Sequence, residues 1–347
     1  MFSEKILLIS SVSCFIAIWI LYPLAIKIKL IDLPNERKNH SGEIPLVGGI
    51  AMFIAFVLTL LIYIPDLNHF RGFLIGSTII IVVGVLDDYH EISVRSRIIL
   101  QLLAVIVMTS FSGLIITKLG NIFGIGSGVI ELGAWSIPFT VVAAIGTMNA
   151  LNLTDGVDGL AGVTALVCFL SLLYLFHLSG QISLKPMIYI GVLIPFLWQN
   201  LSVVKKIFMG DAGSMFLGFG VVWGVIEASQ GDNAVMTPVT ALWILAIPLI
   251  DTVAIIFRRI LKGQSPFLAD REHLHHIFLR AGYSDRQTLY ILTLFSVIFA
   301  AFGILGFVYE VPEWIMFILF LVVFFCYLWL IRHAWWILKK FRKYLYG

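Results

Sequence analysis

The chain has 347 residues, of which 60% are hydrophobic and only 12% charged, with a formal net charge of +3. A soluble domain carries about a quarter charged residues, so this composition excludes an ordinary soluble enzyme and points to an all-α, polytopic integral membrane protein. The three cysteines, Cys14, Cys168 and Cys326, fall inside apolar runs without metal-type spacing and read as small buried residues rather than a disulfide framework.

A membrane-spanning helix needs about 20 mostly apolar residues. Eleven candidates follow along the chain, at roughly 5–25, 46–64, 72–87, 97–117, 135–151, 160–179, 186–203, 212–228, 237–258, 289–308 and 313–333. The first lacks a small-residue cleavage pattern and reads as a span rather than a signal peptide. Pro138, Pro195 and Pro248 fall inside spans and are expected to kink or break them. The whole of 1–347 reads as one transmembrane domain, with a cytoplasmic loop at about 258–288.

With eleven spans, alternate connections lie on opposite sides, and 19 of the 23 Lys and Arg residues fall on one of them. The exceptions are Lys5, Arg71, Lys118 and Lys185. The positive-inside rule then puts the N-terminus outside and the C-terminus in the cytoplasm. The basic tail KKFRK serves as a topology anchor. Every segment rich in unusual polar residues falls on the cytoplasmic side. The Gly-rich GIGSG at 124–128 falls outside, follows no strand, and reads as a turn.

Five polar constellations follow in chain order. DLPNERKNHSGEIPLVGG (32–49) sets Arg37, Lys38 and His40 before Pro45, Gly48 and Gly49. Its basic groups suit phosphates, although positive-inside anchoring and close helix approach would use some of the same residues. LDDYHEISVRSR (86–97) closes a nearly apolar run with Asp87 and Asp88, followed by Arg95 and Arg97. Such an acid pair suits a divalent metal, and Mg²⁺ prefers one or two carboxylates plus substrate phosphates. NALNLTDGVDGLAG (149–162) repeats Asn149, Asn152, Asp155 and Asp158 every third residue, roughly along one face if helical. These hard oxygen donors suit the same cation, though interhelical polar contacts also use Asn and Gly.

KKIFMGDAGSMFLG (205–218) opens a helix with Asp211 expected at its N-cap and backbone N–H groups free for an anion, and Phe208 placed to stack on a base. The segment 258–288 carries Arg271, His273, His275 and His276, whose spacing lacks a common zinc pattern and suits phosphate or sugar contacts. Asp251, within the ninth candidate span, reads as an internal ion-pair or packing residue. The chain has no GxxxxGK[ST], HExxH or GxSxG, so kinase, zinc-protease and serine-hydrolase chemistry are unsupported. A secondary transporter would place its charges near the bilayer midplane, whereas these acids sit at the ends of spans.

Taken together, Asp87–Asp88, NALNLTDGVDGL, FMGDAGS and the HLHH of His273 to His276 resemble the polyprenyl-phosphate N-acetylhexosamine-1-phosphate transferases. These integral membrane enzymes move a sugar 1-phosphate from a UDP-sugar to a lipid phosphate. The resemblance covers nearly the whole chain, with Leu274 replacing the Ile of the family's HIHH. PVTALWILAIPLIDTVAIIFRRILKGQSPF and DREHLHHIFLRAGYSDRQ resemble the GlcNAc-transferring branch. The peptidoglycan branch has Pro-Thr-Met-Gly-Gly where this chain has Pro45 to Gly49.

The resemblance implies eleven spans, Mg²⁺ or Mn²⁺, UDP-N-acetylglucosamine (UDP-GlcNAc) as donor and undecaprenyl phosphate as acceptor. It implies undecaprenyl-pyrophosphoryl-GlcNAc and UMP as products, the lipid serving to start O-antigen or enterobacterial common antigen synthesis. Asn152 and Asp211 are implied as metal ligands, and Asp87, Asp88, Asp155 and Asp158 as the catalytic acids. Arg37, Lys38, His40, Asn149, Phe208, Arg271, His273, His275 and His276 are the expected substrate-binding residues. The partners are then the two substrates and the bilayer, with no nucleic acid; a homodimer is compatible with this reading.

Overall fold

The computed structural model describes residues 2–33, 42–64, 66–126, 128–265 and 273–346. Arg37, Lys38, His40 and Arg271 lie outside them. In chain order the helices are α1 (Phe2–Ile28), α2 (Gly48–Tyr63), α3 (Arg71–His90), α4 (Val94–Ser112), α5 (Ser136–Leu153), α6 (Leu160–Leu178), α7 (Leu184–Asn200), α8 (Gly210–Ser229), α9 (Pro238–Ile244), α10 (Ala246–Leu261), α11 (Leu274–Ala281), α12 (Asp285–Val308) and α13 (Glu313–Tyr346). A short antiparallel pair, β1 (Ile31–Asp32) with β2 (Ile44–Pro45), joins α1 to α2.

All eleven predicted segments coincide with helices, and the chain is a polytopic membrane protein. Among the described residues eight helices are long and apolar enough to cross a membrane, and nine spans result if the bent pair α9–α10 is one. The other two predicted spans, α2 and α7, have 16 and 17 residues. At 1.5 Å per residue they are about 24–26 Å long, short of a hydrocarbon core of about 30 Å. The predicted loop 258–288 is largely helical where described: it takes in the end of α10, all of α11 and the first turn of α12. Ser284 and Gln287 form a reciprocal capping box there, which starts α12 four residues before the predicted span.

Helix α8 is the axis of the bundle, with 89% of its span window buried, against 17% for α13. It packs on α2, α3, α5 and α6. Small residues permit this: a Cβ on Gly49 would collide with the backbone of Gly213, and one on Gly84 with that of Ala212. α2 and α3 therefore lie directly against the first turn of α8. Around the axis the core is aromatic, with Tyr189 stacked on Phe169 at 4.2 Å and Phe56, Phe73 and Phe216 about it.

The prolines act differently from one another. Pro138 sits in the first turn of α5, where its missing N–H is no loss, so the expected kink is absent. Pro195 lies inside α7 and leaves the Gly191 carbonyl without its helical donor; the Ser11 hydroxyl of α1 supplies one at 2.8 Å. Pro248 does the same to Ile244, whose carbonyl is met by the Cys168 thiol at 3.5 Å. The chain bends by 85° between α9 and α10, at Leu245. Irregular backbone at membrane depth persists only where neighbours satisfy it in this way.

Candidate active site

Four helix ends meet at one end of the bundle: the last turns of α3 and α5, and the first turns of α4 and α8. Asp87 and Asp88 belong to the last turn of α3 rather than to the loop beyond it. Asp88 is not poised toward open solvent. Its carboxylate accepts the backbone N–H of Asp211 at 2.7 Å and of Ala212 at 3.2 Å. The N-cap residue of α8, Met209, has no side chain able to cap, and Asp211 lies inside the first turn. Asp88 therefore caps α8 from another helix, satisfying donors a helix start leaves open and placing its negative charge at the positive end of the dipole. This corrects the expectation that Asp211 is the N-cap and that these N–H groups are free for an anion. Gly210 makes it work: its φ is +69°, and a Cβ would collide with the Asp88 carboxylate.

The buried Asp87 carboxylate instead takes Arg97 of α4, at 2.9 Å. Asn152, at the end of α5, donates to Asp211 Oδ1 at 2.5 Å and to Ser214 Oγ at 2.8 Å. Asn149, one turn earlier, donates to Gln101 Oε1 of α4 at 2.9 Å and to the Ile145 carbonyl at 2.8 Å. Its amide nitrogen is thus engaged within the protein.

α5 ends at Leu153, and Asp155 and Asp158 occupy the turn that leads to α6. The four residues spaced by three thus do not share one helix face; the turn carries the two acids round toward α8. Lys206 pairs with Asp158. Burial, then the charges of Asp211, Asp158 and Asp88, hold the Asp155 carboxyl well above the ordinary range. Among the described residues Arg97 answers Asp87 and Lys206 answers Asp158, but no cation pairs with Asp88, Asp155 or Asp211.

The segment before α8 is clamped to the start of α2. Phe208 N–H donates to Pro45 O, Gly48 N–H to Phe208 O and Gly49 N–H to Met209 O, each at 3.0 Å. The half-buried Phe208 ring lies 5.2 Å from Lys206 Nζ. Pro45, Gly48 and Gly49 are thereby accounted for by backbone pairing and close approach.

The histidine segment stands beside this cluster. His273 is the N-cap of α11, and His275 is buried against the acidic turn, so that a Cβ on Gly156 would collide with its Nε2. That Nε2 is buried without a partner among the described residues. Burial, then the neighbouring His276 and His273, push the His275 pKa down to about 3, so the ring is neutral at physiological pH. Its ring lies 6.0 Å from that of His273 and 4.1 Å from that of His276. Asp251 Oδ2 lies 2.8 Å from His273 Nδ1, which gives this buried acid a polar partner on the histidine segment.

Three contributors were not legible. Gln101 was hidden as one fully buried polar residue in an apolar span, although a buried carboxamide in a membrane helix is itself a signal. Ser214 lay unremarked within FMGDAGS. Tyr327 of α13 donates to Asp251 Oδ1 at 2.5 Å across 76 residues of sequence, and no local pattern marks it.

This geometry has known counterparts. A family model described as glycosyl transferase family 4 matches residues 70–229. The undecaprenyl-phosphate alpha-N-acetylglucosaminyl 1-phosphate transferase of Yersinia pestis is 40% identical over 92% of this chain and 89% of its own length. The protein of the same name from Escherichia coli strain K12 is 39% identical, over 89% and 85% respectively. That of Haemophilus influenzae is 39% identical over 96% of both chains. The chain belongs to glycosyl transferase family 4. This family 4 protein is an enzyme, a glycosyl-1-phosphate transferase, as the motif order implied. The matched stretch runs from the start of α3 to the end of α8 and so contains every acid of the four-helix junction. The histidine segment lies beyond it, within the reach of the full-length relatives.

Proposed function

We propose that this transferase moves GlcNAc 1-phosphate from UDP-GlcNAc to undecaprenyl phosphate, forming undecaprenyl-pyrophosphoryl-GlcNAc and releasing UMP. The observation that carries the reading is the convergence of Asp88, Asn152, Asp155 and Asp211 at one end of a chain about 40% identical to relatives of that name. In this reading that end faces the cytoplasm at a bacterial inner membrane, with the N-terminus periplasmic and the C-terminus cytoplasmic, and the distribution of basic residues supports it. The lipid product is one that O-antigen or enterobacterial common antigen assembly would extend.

The donor set fits Mg²⁺, with Mn²⁺ as a substitute. Asn152 and Asp211 place a carboxamide and a carboxylate in contact, and two further acids without a cation among the described residues, Asp88 and Asp155, lie beside them. Among the described residues no three His, Cys, Asp or Glu side chains could hold a metal by themselves. That agrees with an ion that takes one or two carboxylates and completes its shell with water and substrate phosphate. In this reading Asn152 and Asp211 hold the ion, which would supply charge neutralisation on the diphosphate.

A phosphate monoester has its second pKa near about 6, so the lipid phosphate is already a dianionic nucleophile at neutral pH. One of its oxygens bonds to the β-phosphorus in line with the bridging oxygen. The bond from that oxygen to the β-phosphorus breaks, and UMP leaves with the electron pair. No protein nucleophile is needed. Asp88, with its carboxylate already accepting two N–H donors, positions the first turn of α8, and Asp87 positions Arg97. Asp155 and Asp158 line the nucleotide side and support the metal shell, Phe208 stacks on uracil, and Asn149 braces the end of α5. His273, His275, His276 and Arg271 bind the pyrophosphate and sugar, and Arg37, Lys38 and His40 bind phosphate.

The test is transfer by purified protein in detergent with Mg²⁺, undecaprenyl phosphate and radiolabelled UDP-GlcNAc, UDP-GalNAc or UDP-MurNAc-pentapeptide in parallel, with a tunicamycin control. Label entering the organic phase from UDP-GlcNAc alone, with UMP released, is expected. Transfer from another donor alone would replace the sugar assignment. A labelled covalent enzyme adduct formed without acceptor would overturn the direct attack.

A further inference from the structure

Asp251 is 3% exposed at a membrane-embedded helix, yet three polar groups converge on it. His273 Nδ1 lies 2.8 Å from Oδ2, while the Leu274 N–H at 3.0 Å and the Tyr327 hydroxyl at 2.5 Å both reach Oδ1. Oδ1 accepts two donors and Oδ2 faces the His273 ring nitrogen, so this one carboxyl group ties together the start of α11, the His273 ring and Tyr327. The Leu274 N–H belongs to the first turn of α11, whose N-cap side chain makes no cap of its own. Asp251 thus does for α11 what Asp88 does for α8. It caps the helix from elsewhere in the chain, and it also fixes a ring.

We propose that Asp251 and Tyr327 are positioning residues for the transfer reaction. Together they lock the start of α11 and the His273 ring, and thereby set the His275 ring against the Asp155–Gly156 turn. The proposal rests on the sugar-phosphate transfer reading above and extends it to α13, a helix that contributes no other described side chain to the site. Geometry argues for positioning over plain packing. A buried ionic group contributes little net stability relative to an apolar pair of the same volume, and its retention fits a need to hold one arrangement. What is held is a neutral imidazole whose buried Nε2 has no partner among the described residues and lies beside the acids.

The experiment compares wild type, Tyr327→Phe, Asp251→Asn and the double variant in detergent. Kinetics are measured for each substrate separately, and the reactivity of His275 toward diethyl pyrocarbonate is read by peptide mass spectrometry. Expected is a rise of about tenfold in KM for UDP-GlcNAc in Tyr327→Phe, equivalent to about 1.4 kcal/mol, and more in Asp251→Asn. KM for undecaprenyl phosphate stays unchanged. His275, protected in the wild type, becomes reactive in both variants. The hydroxyl and the carboxylate act through one contact, so the double variant should be no worse than Asp251→Asn alone.

Wild-type kinetics in folded variants, additive losses, equal changes in both KM values, or unaltered protection of His275 would each overturn the proposal. Tyr327→Phe removes a single hydroxyl and carries the test if Asp251→Asn fails to insert. Wild type inactive toward every donor would count against the transfer reading instead, while the His275 reactivity still reports on the latch.

Discussion

At the scale of single residues, the cluster is an electrostatic arrangement with a deficit of positive charge. Asp211→Asn should abolish transfer at every Mg²⁺ concentration while the protein still inserts; an assay across an Mg²⁺ titration, with insertion checked on the same preparation, tests it. The unfolded chain releases the Asp155 proton near pH 4, whereas the folded protein holds it to higher pH. Stability should therefore fall as pH rises above that range, and Mg²⁺ should restore it with proton release; melting temperature against pH, with and without Mg²⁺, reads both. His275 has the opposite sign. Its folded pKa of about 3 lies below the ordinary 6.5, so the unfolded chain binds the extra proton and stability is lost as pH falls from about 6.5 toward 3. His275→Gln should flatten that limb. Gly156→Ala would drive a methyl into the His275 ring, and transfer should drop at least about tenfold, a loss of about 1.4 kcal/mol. The acids themselves were legible because carboxylates are expensive near lipid. Their partners were not: Asp88 and the N–H groups it caps are 123 and 124 residues apart, a relation set by packing.

At the scale of helices, position is set by glycine contacts and by borrowed hydrogen-bond donors. Gly84 of α3 lets the first turn of α8 sit against it. Gly84→Ala should displace the turn that carries Asp211 and depress transfer more than melting temperature, as assay and calorimetry on one preparation would reveal. Ser11→Ala removes the donor to the carbonyl freed by Pro195 and should cost about 1 kcal/mol, a typical interhelical hydrogen bond in lipid, with little effect on transfer. Hydropathy located every long apolar helix because hydrocarbon demands long apolar runs, but it missed the short α11 inside the predicted loop. It could not separate full spans from α2 and α7; the break expected at Pro248 appears as the 85° bend between α9 and α10, whereas Pro138 lies harmlessly in a first turn.

For the molecule as a whole, the two ends differ in chemistry. The end opposite the acids holds a cleft of about 430 Å³ lined by Phe70, Lys185, Glu227 and Gln230 among others. There Lys185 pairs with Glu227 at 2.8 Å, and Gln230 ties down Thr117 and Lys118. This segregation is what alternation of loops along the sequence anticipates, because helix ends of like parity must share a membrane face. Single cysteines placed at Ser202 and at Asp232, in a background where Cys14, Cys168 and Cys326 are replaced, should label from opposite sides of sealed inner-membrane vesicles. An impermeant maleimide reaching both from one side would overturn the orientation.

The three backbone bonds that clamp residues 208 and 209 onto Pro45, Gly48 and Gly49 have a thermodynamic consequence. Ordering a free loop around a nucleotide costs conformational entropy at every residue fixed, and that cost is subtracted from affinity. Here the main chain bearing Phe208 is already immobilised by the fold. If a base stacks on that ring as proposed, it would need to fix little more than the phenyl torsions, and a larger share of the stacking energy would remain as affinity for the donor.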